Sequence, residues 1–487
     1  MTMKMKINKE EYINKVYGCW TGKNIGGTIG APYEGKKEML DVTGFISQKG
    51  EPLPNDDLDL QLVWLKAMLE VGPKALNANN LADYWLTYIT PHWAEYGINK
   101  SNLEMGLLPP LSGEFKNIWK HSNGAWIRSE IWACLAPGVP EVAVKYALMD
   151  ASIDHGLAEG TNAEIFTAAL ESIAFFENDI RKIIEKALEF IPENCRIARS
   201  VKIVLDSYDK KIPWQEVREM LVKDSEDLGW FQAPANVGYV VLGLMYGEGD
   251  FKKSVLYSVN CGDDTDCTAG TCAAILGIIL GADKLPSDWK EYIGDRIITM
   301  CINGSYSFLM PKTCTELTEI VAETMPNVLY AHDITAEYTD GVSDLENINH
   351  NIVLKDYTTP YRDCVKNILT QNPYSFEICE AHTKARIEYD GEPIVKPNSE
   401  FNIKISLKNN RRQSFHYEFD VYLPEGWTAE YNRTGYIYER TQLDKGICEW
   451  QMKITVGEKV DAINKFPIMI FPKGHVMPIM VPIVLLG

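Results

Sequence analysis

From about Glu10 to about Ala322, apolar residues return at i, i+3, i+4 and i+7, the period of helices with one buried face. The stretches DYWLTYI, EVAVKYALMDAS, NAEIFTAALESIAFF, DIRKIIEKALEFI, PWQEVREMLVKD and DCTAGTCAAILGIILGA all carry it, with Pro or Asp near several starts. No strand-like runs alternate with them, so the pattern predicts an all-α body and argues against a parallel sheet. After about residue 376 the period changes. FNIKISL, FHYEFDVYL, GICEWQMKITV and FPIMIF are alternating or rich in β-branched and aromatic residues, and KPNSE, PEGW and PKGH between them supply turn chemistry. That half predicts a small antiparallel sandwich of about 110 residues. The expected organisation is an all-α domain over 1–325, a packed connecting segment over 326–376, rich in Asn, Asp, Tyr and Pro, and a β-sandwich over 377–487.

Two places break the helical pattern with charge. PNDDLDLQLVWLKAMLE sets Asp56, Asp57 and Asp59 at the start of an apolar helical face, and VNCGDDTDCTAG sets Asp263, Asp264 and Asp266 at the start of another. Acids in a first turn complement the helix dipole, and Asn55 is a good N-cap. Three carboxylates at each of two starts exceed what capping requires, because one or two already satisfy a helix N-terminus. Crowded and buried, they need positive charge beside them: a lysine, a helix terminus or a metal ion. An oxygen-only set suits a hard divalent cation, Mg²⁺, Mn²⁺ or Ca²⁺, over zinc.

Composition narrows the partners. The chain has 487 residues, 46% of them hydrophobic, enough for a large core, and a net charge of −19, which disfavours nucleic acid or an anionic membrane surface as partner. The charged N-terminus lacks the apolar region of a signal peptide and no apolar run spans a bilayer, so the expectation is a cytoplasmic protein. Eleven cysteines without a CxxC pair read as reduced core residues and form no zinc pattern. Trp20, Trp64, Trp93, Trp119 and Trp126 supply flat faces suited to core packing or to sugar rings.

Five stretches in order, GCWTGKNIGGTIGAPYEG, NDDLDLQ, NGAWIR, DHGLAEGTNAEIFTAAL and NCGDDTDCTAGTCAAILGIILGA, resemble the successive motifs of the ADP-ribosylglycohydrolase family over roughly residues 11–300. The resemblance implies an all-α orthogonal helical fold with a binuclear Mg²⁺ centre that hydrolyses a glycosidic bond at the anomeric carbon of ribose, usually in ADP-ribose linked to a protein side chain. It implies metal ligands at Asp56, Asp57, Asp264 and Asp266, and at Asn55, which stands where the family has Thr before its paired Asp and whose amide oxygen can ligate a hard cation. Glu34 matches a mobile acid near the metals, His155 a residue of the substrate cleft, and Asn123, Gly124 and Arg128 the Gly-rich stretch shaping that cleft. Cys267 replaces the family's Thr after DTD and Gly27 replaces an Asp, departures that bear on the second metal position and on ADP-ribose specificity.

The expected chemistry is that of a glycosidase: one or two ions fix the sugar hydroxyls and activate water, while Glu34, Asp59 or Asp263, in that order, serves as base. The sandwich resembles domains appended to carbohydrate-active enzymes and offers an oligomerisation surface. Together with the tryptophans it makes a small furanosyl-type glycoside the first expected substrate. Hydrolysis of an ADP-ribose conjugate is the alternative, and a non-catalytic binding protein the second.

Overall fold

Gly18, Gly22, Gly26 and Gly30 recur every four residues along α1 (Lys9–Gly30), which places them on one face. In the computed structural model, which describes residues 3–305, 310–345, 348, 372–379, 383–409, 413–438 and 446–487, that bare stripe lies on the helix Thr265–Leu280. A Cβ at Gly22 would stand 2.3 Å from the Ala273 carbonyl oxygen, and one at Gly26 would stand 2.1 Å from that of Ala269. The backbones therefore touch, which no larger residue permits. Thr265 Oγ1 adds a hydrogen bond to the Gly30 carbonyl oxygen at 2.8 Å.

Around this pair the chain packs the rest of its sixteen described α-helices into the unit Met1–Tyr361. Each quoted helical stretch forms a helix, among them Pro140–Asp154, Glu159–Ala174 and Trp214–Asp224. The helix α2 (Asp56–Val71) starts where the acids predict it, with Asn55 Oδ1 accepting the Asp57 N–H at 2.8 Å. Trp20, Trp64 and Trp126 are buried in the core. Two strands join the helices: β1 (Met3–Asn8) and β2 (Ile334–Thr339) pair in parallel from Met3↔Ile334 to Asn8↔Thr339. The helical period conceals them, because each is one short run at an end of the unit. The helix Cys314–Ala331 runs from the expected helical domain into the stretch expected as connecting segment, and β2 falls within that stretch. Residues 346–347 and 349–371 of that expectation lie outside the described residues.

The second unit, Arg362–Gly487, holds two antiparallel sheets. Five strands, β3 (Ser375–Cys379), β4 (Thr383–Tyr389), β5 (Glu400–Asn409), β7 (Thr428–Tyr431) and β9 (Ile447–Thr455), run in the order β3-β4-β5-β9-β7. The other sheet orders β6 (Phe415–Val421), β8 (Thr434–Ile437), β10 (Ile463–Pro472) and β11 (Ile479–Leu486) as β11-β10-β6-β8. Alternate residues of both, such as Ile403, Ile405, Ile468 and Val481, meet in one core, and Phe419 stacks on Trp450 at 4.5 Å between sheets. Among the described residues no helix is long and apolar enough to cross a membrane.

Candidate active site

The contact between α1 and the helix Thr265–Leu280 brings the two acidic clusters to one place. Asp264 and Asp266, at the start of the second helix, face a cleft of about 280 Å³ that Glu34 and Asp56 also line. The turn between is built by backbone pairing: Gly35 N–H donates to the Asp263 carbonyl oxygen at 2.9 Å, and Asp263 N–H donates to that of Lys36 at 2.8 Å. Gly262 permits the pairing, with φ +77° and the Glu38 carbonyl oxygen 2.3 Å from where a Cβ would be. Glu34 is thereby hung, exposed, over the buried acids.

One oxygen each of Glu34, Asp264 and Asp266 fits within a 4.8 Å cluster, a set that could hold a hard cation. Asp264 Oδ2 accepts from Asn123 Nδ2 at 2.7 Å, and Trp126 Nε1 fixes Asn123 through its Oδ1 at 3.0 Å. Asp266 Oδ1 is buried and has no hydrogen-bond partner, so the cluster has room for a ligand atom and reason to take one. Burial, followed by the charges of neighbouring acids, pushes Asp264 and Asp266 well above the usual carboxylate range. Burial also lifts Asp56 to about 6, against a Tyr96 hydroxyl that donates to its Oδ2 at 2.9 Å. Glu34 is raised by its own partial burial and by Asp56.

Asp57 behaves differently. Its Oδ2 lies 3.1 Å from Lys23 Nζ, whose other anionic neighbour is Glu130 Oε1 at 2.8 Å, all three side chains fully buried. Lys23 also donates to the Ile127 carbonyl oxygen at 2.7 Å and to Thr271 Oγ1 at 3.0 Å. Gln61 Nε2 bonds the other Glu130 oxygen at 2.8 Å. Asp57 Oδ1 receives the Cys267 thiol at 3.5 Å. Burial opposes the charge on Lys23, but Asp57 and Glu130 outweigh it and keep the ammonium protonated. Asn55 caps α2 with its oxygen, and its Nδ2 would meet any Cβ at residue 27 at 2.3 Å, so Asn55 and Gly27 fit as a pair.

Two of the three expected bases serve the walls instead. Asp59 Oδ2 accepts the Met300 N–H at 2.6 Å and the Cys301 N–H, anchoring a loop, and burial raises it to about 7. Asp263 Oδ1 accepts the Phe231 N–H at 3.0 Å and its Oδ2 accepts from Asn236 Nδ2 at 2.9 Å, which holds Phe231 at the cleft; burial puts Asp263 near 6. Neither carboxylate lines the cleft. Arg128 and His155 stand behind it. Arg128 pairs with Asp150 at 2.8 Å and Asp154 at 2.9 Å and donates to the Gly124 carbonyl oxygen, fixing the Asn123–Gly124 turn. Any side chain at 124 would overlap Glu95 Oε1. His155 contacts Asp154 at 2.9 Å through Nδ1 and Ser122 Oγ at 3.2 Å through Nε2.

The cleft walls are aromatic: Trp93, Tyr96, Trp119 and Phe231. Of the five tryptophans singled out in the sequence, Trp93 and Trp119 line the cleft, while Trp20, Trp64 and Trp126 are buried in the core. Lys23 and Glu130 escape sequence reasoning, although a lone lysine inside GCWTGKNIGGTIG, a run of small and apolar residues, is the signal of a buried cation. Tyr96 leaves no such signal.

A profile of the ADP-ribosylglycohydrolase family matches residues 8–324. The ADP-ribosylhydrolase ARH3 of Bos taurus is 22% identical over 326 residues, covering 57% of this chain and 88% of that protein. A solved ADP-ribosylglycohydrolase-related protein complex has a chain 17% identical, aligned over 66% of this chain and 99% of its own, with a TM-score of 0.45. A FixG-related protein from Vibrio parahaemolyticus aligns with 22% of this chain and 98% of its own, at 13% identity and a TM-score of 0.19. Since the family profile spans well over half of its residues, the chain belongs to the ADP-ribosylglycohydrolase family.

Proposed function

We propose that the protein is a divalent-metal-dependent hydrolase that releases ADP-ribose from a conjugate by cleaving the bond at the anomeric carbon of ribose. The carrying observation is the convergence of Glu34, Asp264 and Asp266 on the floor of an aromatic-walled cleft, with the buried Asp266 Oδ1 left without a hydrogen bond. Oxygen donors of this kind fit Mg²⁺, Mn²⁺ or Ca²⁺. When bound, such an ion polarises sugar hydroxyls and lowers the pKa of water. Asp264 and Asp266 would hold it, and Asn123 keeps Asp264 oriented. Glu34 is the residue placed to take a proton from water, because it reaches solvent while Asp59 and Asp263 spend oxygens on backbone N–H groups. Trp93, Trp119 and Phe231 offer stacking faces to ribose or adenine and exclude water beside the reacting bond.

The family match and the ADP-ribosylhydrolase relative favour an ADP-ribose conjugate over a small furanosyl glycoside. The deciding experiment offers the protein ADP-ribosylated peptides, ADP-ribose-containing nucleotides and aryl furanosides, each with Mg²⁺ and with EDTA. Metal-dependent release of ADP-ribose is expected. Turnover confined to the aryl furanosides would transfer the assignment to a small-glycoside hydrolase, and silence on every substrate with metal bound would leave a binding protein.

A further inference from the structure

Two acidic groups share this site, and only one of them lacks a positive charge. Asp57 and Glu130 lie at 3.1 and 2.8 Å from the Lys23 ammonium, fully buried with it. Asp57 Oδ2 is ion-paired with Lys23, though without a hydrogen bond, and its Oδ1 accepts the Cys267 thiol at 3.5 Å. Glu130 is equally spent, between Lys23 and Gln61. On the cleft side, Asp264 and Asp266 have no lysine or arginine within ion-pair reach among the described residues, and Asp266 Oδ1 has no hydrogen-bond partner.

We infer that the Lys23 ammonium occupies the place of one cation, so that this protein binds a single divalent ion, at Asp264 and Asp266 with Glu34 closing the open side. A second set, Asp57, Asp266 and Cys267, also has three donor atoms within 4.8 Å of one another. It would require Asp57 to give up its lysine and would present a thiol to a hard ion, which prefers oxygen. A buried ammonium 3.1 Å from a carboxylate repels a divalent cation brought to that same carboxylate, the more so because the ion carries two charges. Lys23 is held beside Asp57 by its hydrogen bonds to the Ile127 carbonyl oxygen and Thr271 Oγ1. The cation is thus carried on α1 itself, on the turn between Gly22 and Gly26 where that helix touches its partner.

This inference rests on reading the acidic floor as a metal centre, and its test is binding rather than turnover. The full chain is stripped with EDTA and titrated with Mn²⁺ by equilibrium dialysis, free Mn²⁺ being followed by its electron paramagnetic resonance signal. One Mn²⁺ per chain is expected; two, or none, overturns the inference. Asp266→Asn should weaken Mn²⁺ binding at least 100-fold, while Asp57→Asn should leave the count at one and the affinity within tenfold. Equal losses in both variants would overturn the assignment of ligands. Lys23→Met, checked for folding by circular dichroism, should raise the count to two, and a count that stays at one overturns the role of Lys23. If Lys23→Met does not fold, the wild-type count and the two aspartate variants still decide. One bound ion with no release of ADP-ribose from any conjugate would refute the proposed substrate and leave the single-ion site standing.

Discussion

Arg128 answers two carboxylates behind the cleft, and it is buried with both of them, Asp150 and Asp154. Removing one member of such a group strands the others without water or counter-charge. Arg128→Met should therefore cost about 3–5 kcal/mol, read as a lowered urea midpoint. A loss of activity with unchanged stability would instead make Arg128 a substrate contact. The same ion pair carries a pH dependence. Burial opposes the charge on Asp154, but Arg128 and then His155 outweigh it and bring its pKa to about 2. A carboxylate held below its unfolded value contributes stability that is fully present above the unfolded value near 3.8 and lost as pH falls through about 2. Acid unfolding of Asp154→Asn should accordingly lose its steepness between about pH 4 and pH 2, where the wild type loses this contribution. Glu34 also closes the open side of the cation site, so its role as base is read at saturating metal: Glu34→Gln should then lower kcat by about 10²–10⁴-fold with the fold retained, the range for removing a general base. Wild-type turnover in that variant would mean the proton goes elsewhere.

Among the elements, α1 and the helix Thr265–Leu280 set the site, and their contact depends on atoms that are missing. Gly26→Val would drive a side chain into the Ala269 carbonyl, 2.1 Å from the new Cβ, at a cost of about 3 kcal/mol, the upper end for overpacking. Its urea midpoint should fall sharply, whereas Gly304→Ala, at a glycine outside the positive-φ region with nothing within 4 Å of a new Cβ, should stay within the error of the wild type. Much of this level was legible in the chain. The helices follow from a period that burial imposes, and both acidic starts follow from capping chemistry, with Asn55 capping α2 as its sequence position suggests. The strands β1 and β2 were not legible, because MKMKIN and ITAEYT each find their partner some three hundred residues away. Nor was the division of labour among the six aspartates. Whether an acid meets an N–H, an ammonium or open cleft depends on neighbours distant in sequence: Met300 for Asp59, Phe231 for Asp263, Lys23 for Asp57.

For the whole molecule, binding of a cation at the acidic floor must appear as stability, since the unfolded chain cannot assemble Asp264, Asp266 and Glu34. Metal at 100 times its dissociation constant should stabilise the helical unit by about 2.7 kcal/mol, seen as a rise in Tm that EDTA removes. A Tm indifferent to Mg²⁺, Mn²⁺ and Ca²⁺ would count against the centre. The net charge of −19 suits a cation and a neutral sugar face better than a polyanion, and the −2 carried by a pyrophosphate must then be met locally, away from the acidic floor. The most direct measurement of the central claim follows ADP-ribose release from an ADP-ribosylated peptide by the wild type and by Asp264→Asn, in EDTA and after Mg²⁺ is restored. The wild type should fall silent in EDTA and recover with Mg²⁺, while Asp264→Asn stays silent in both; release that continues in EDTA, or that survives the loss of Asp264, would contradict it.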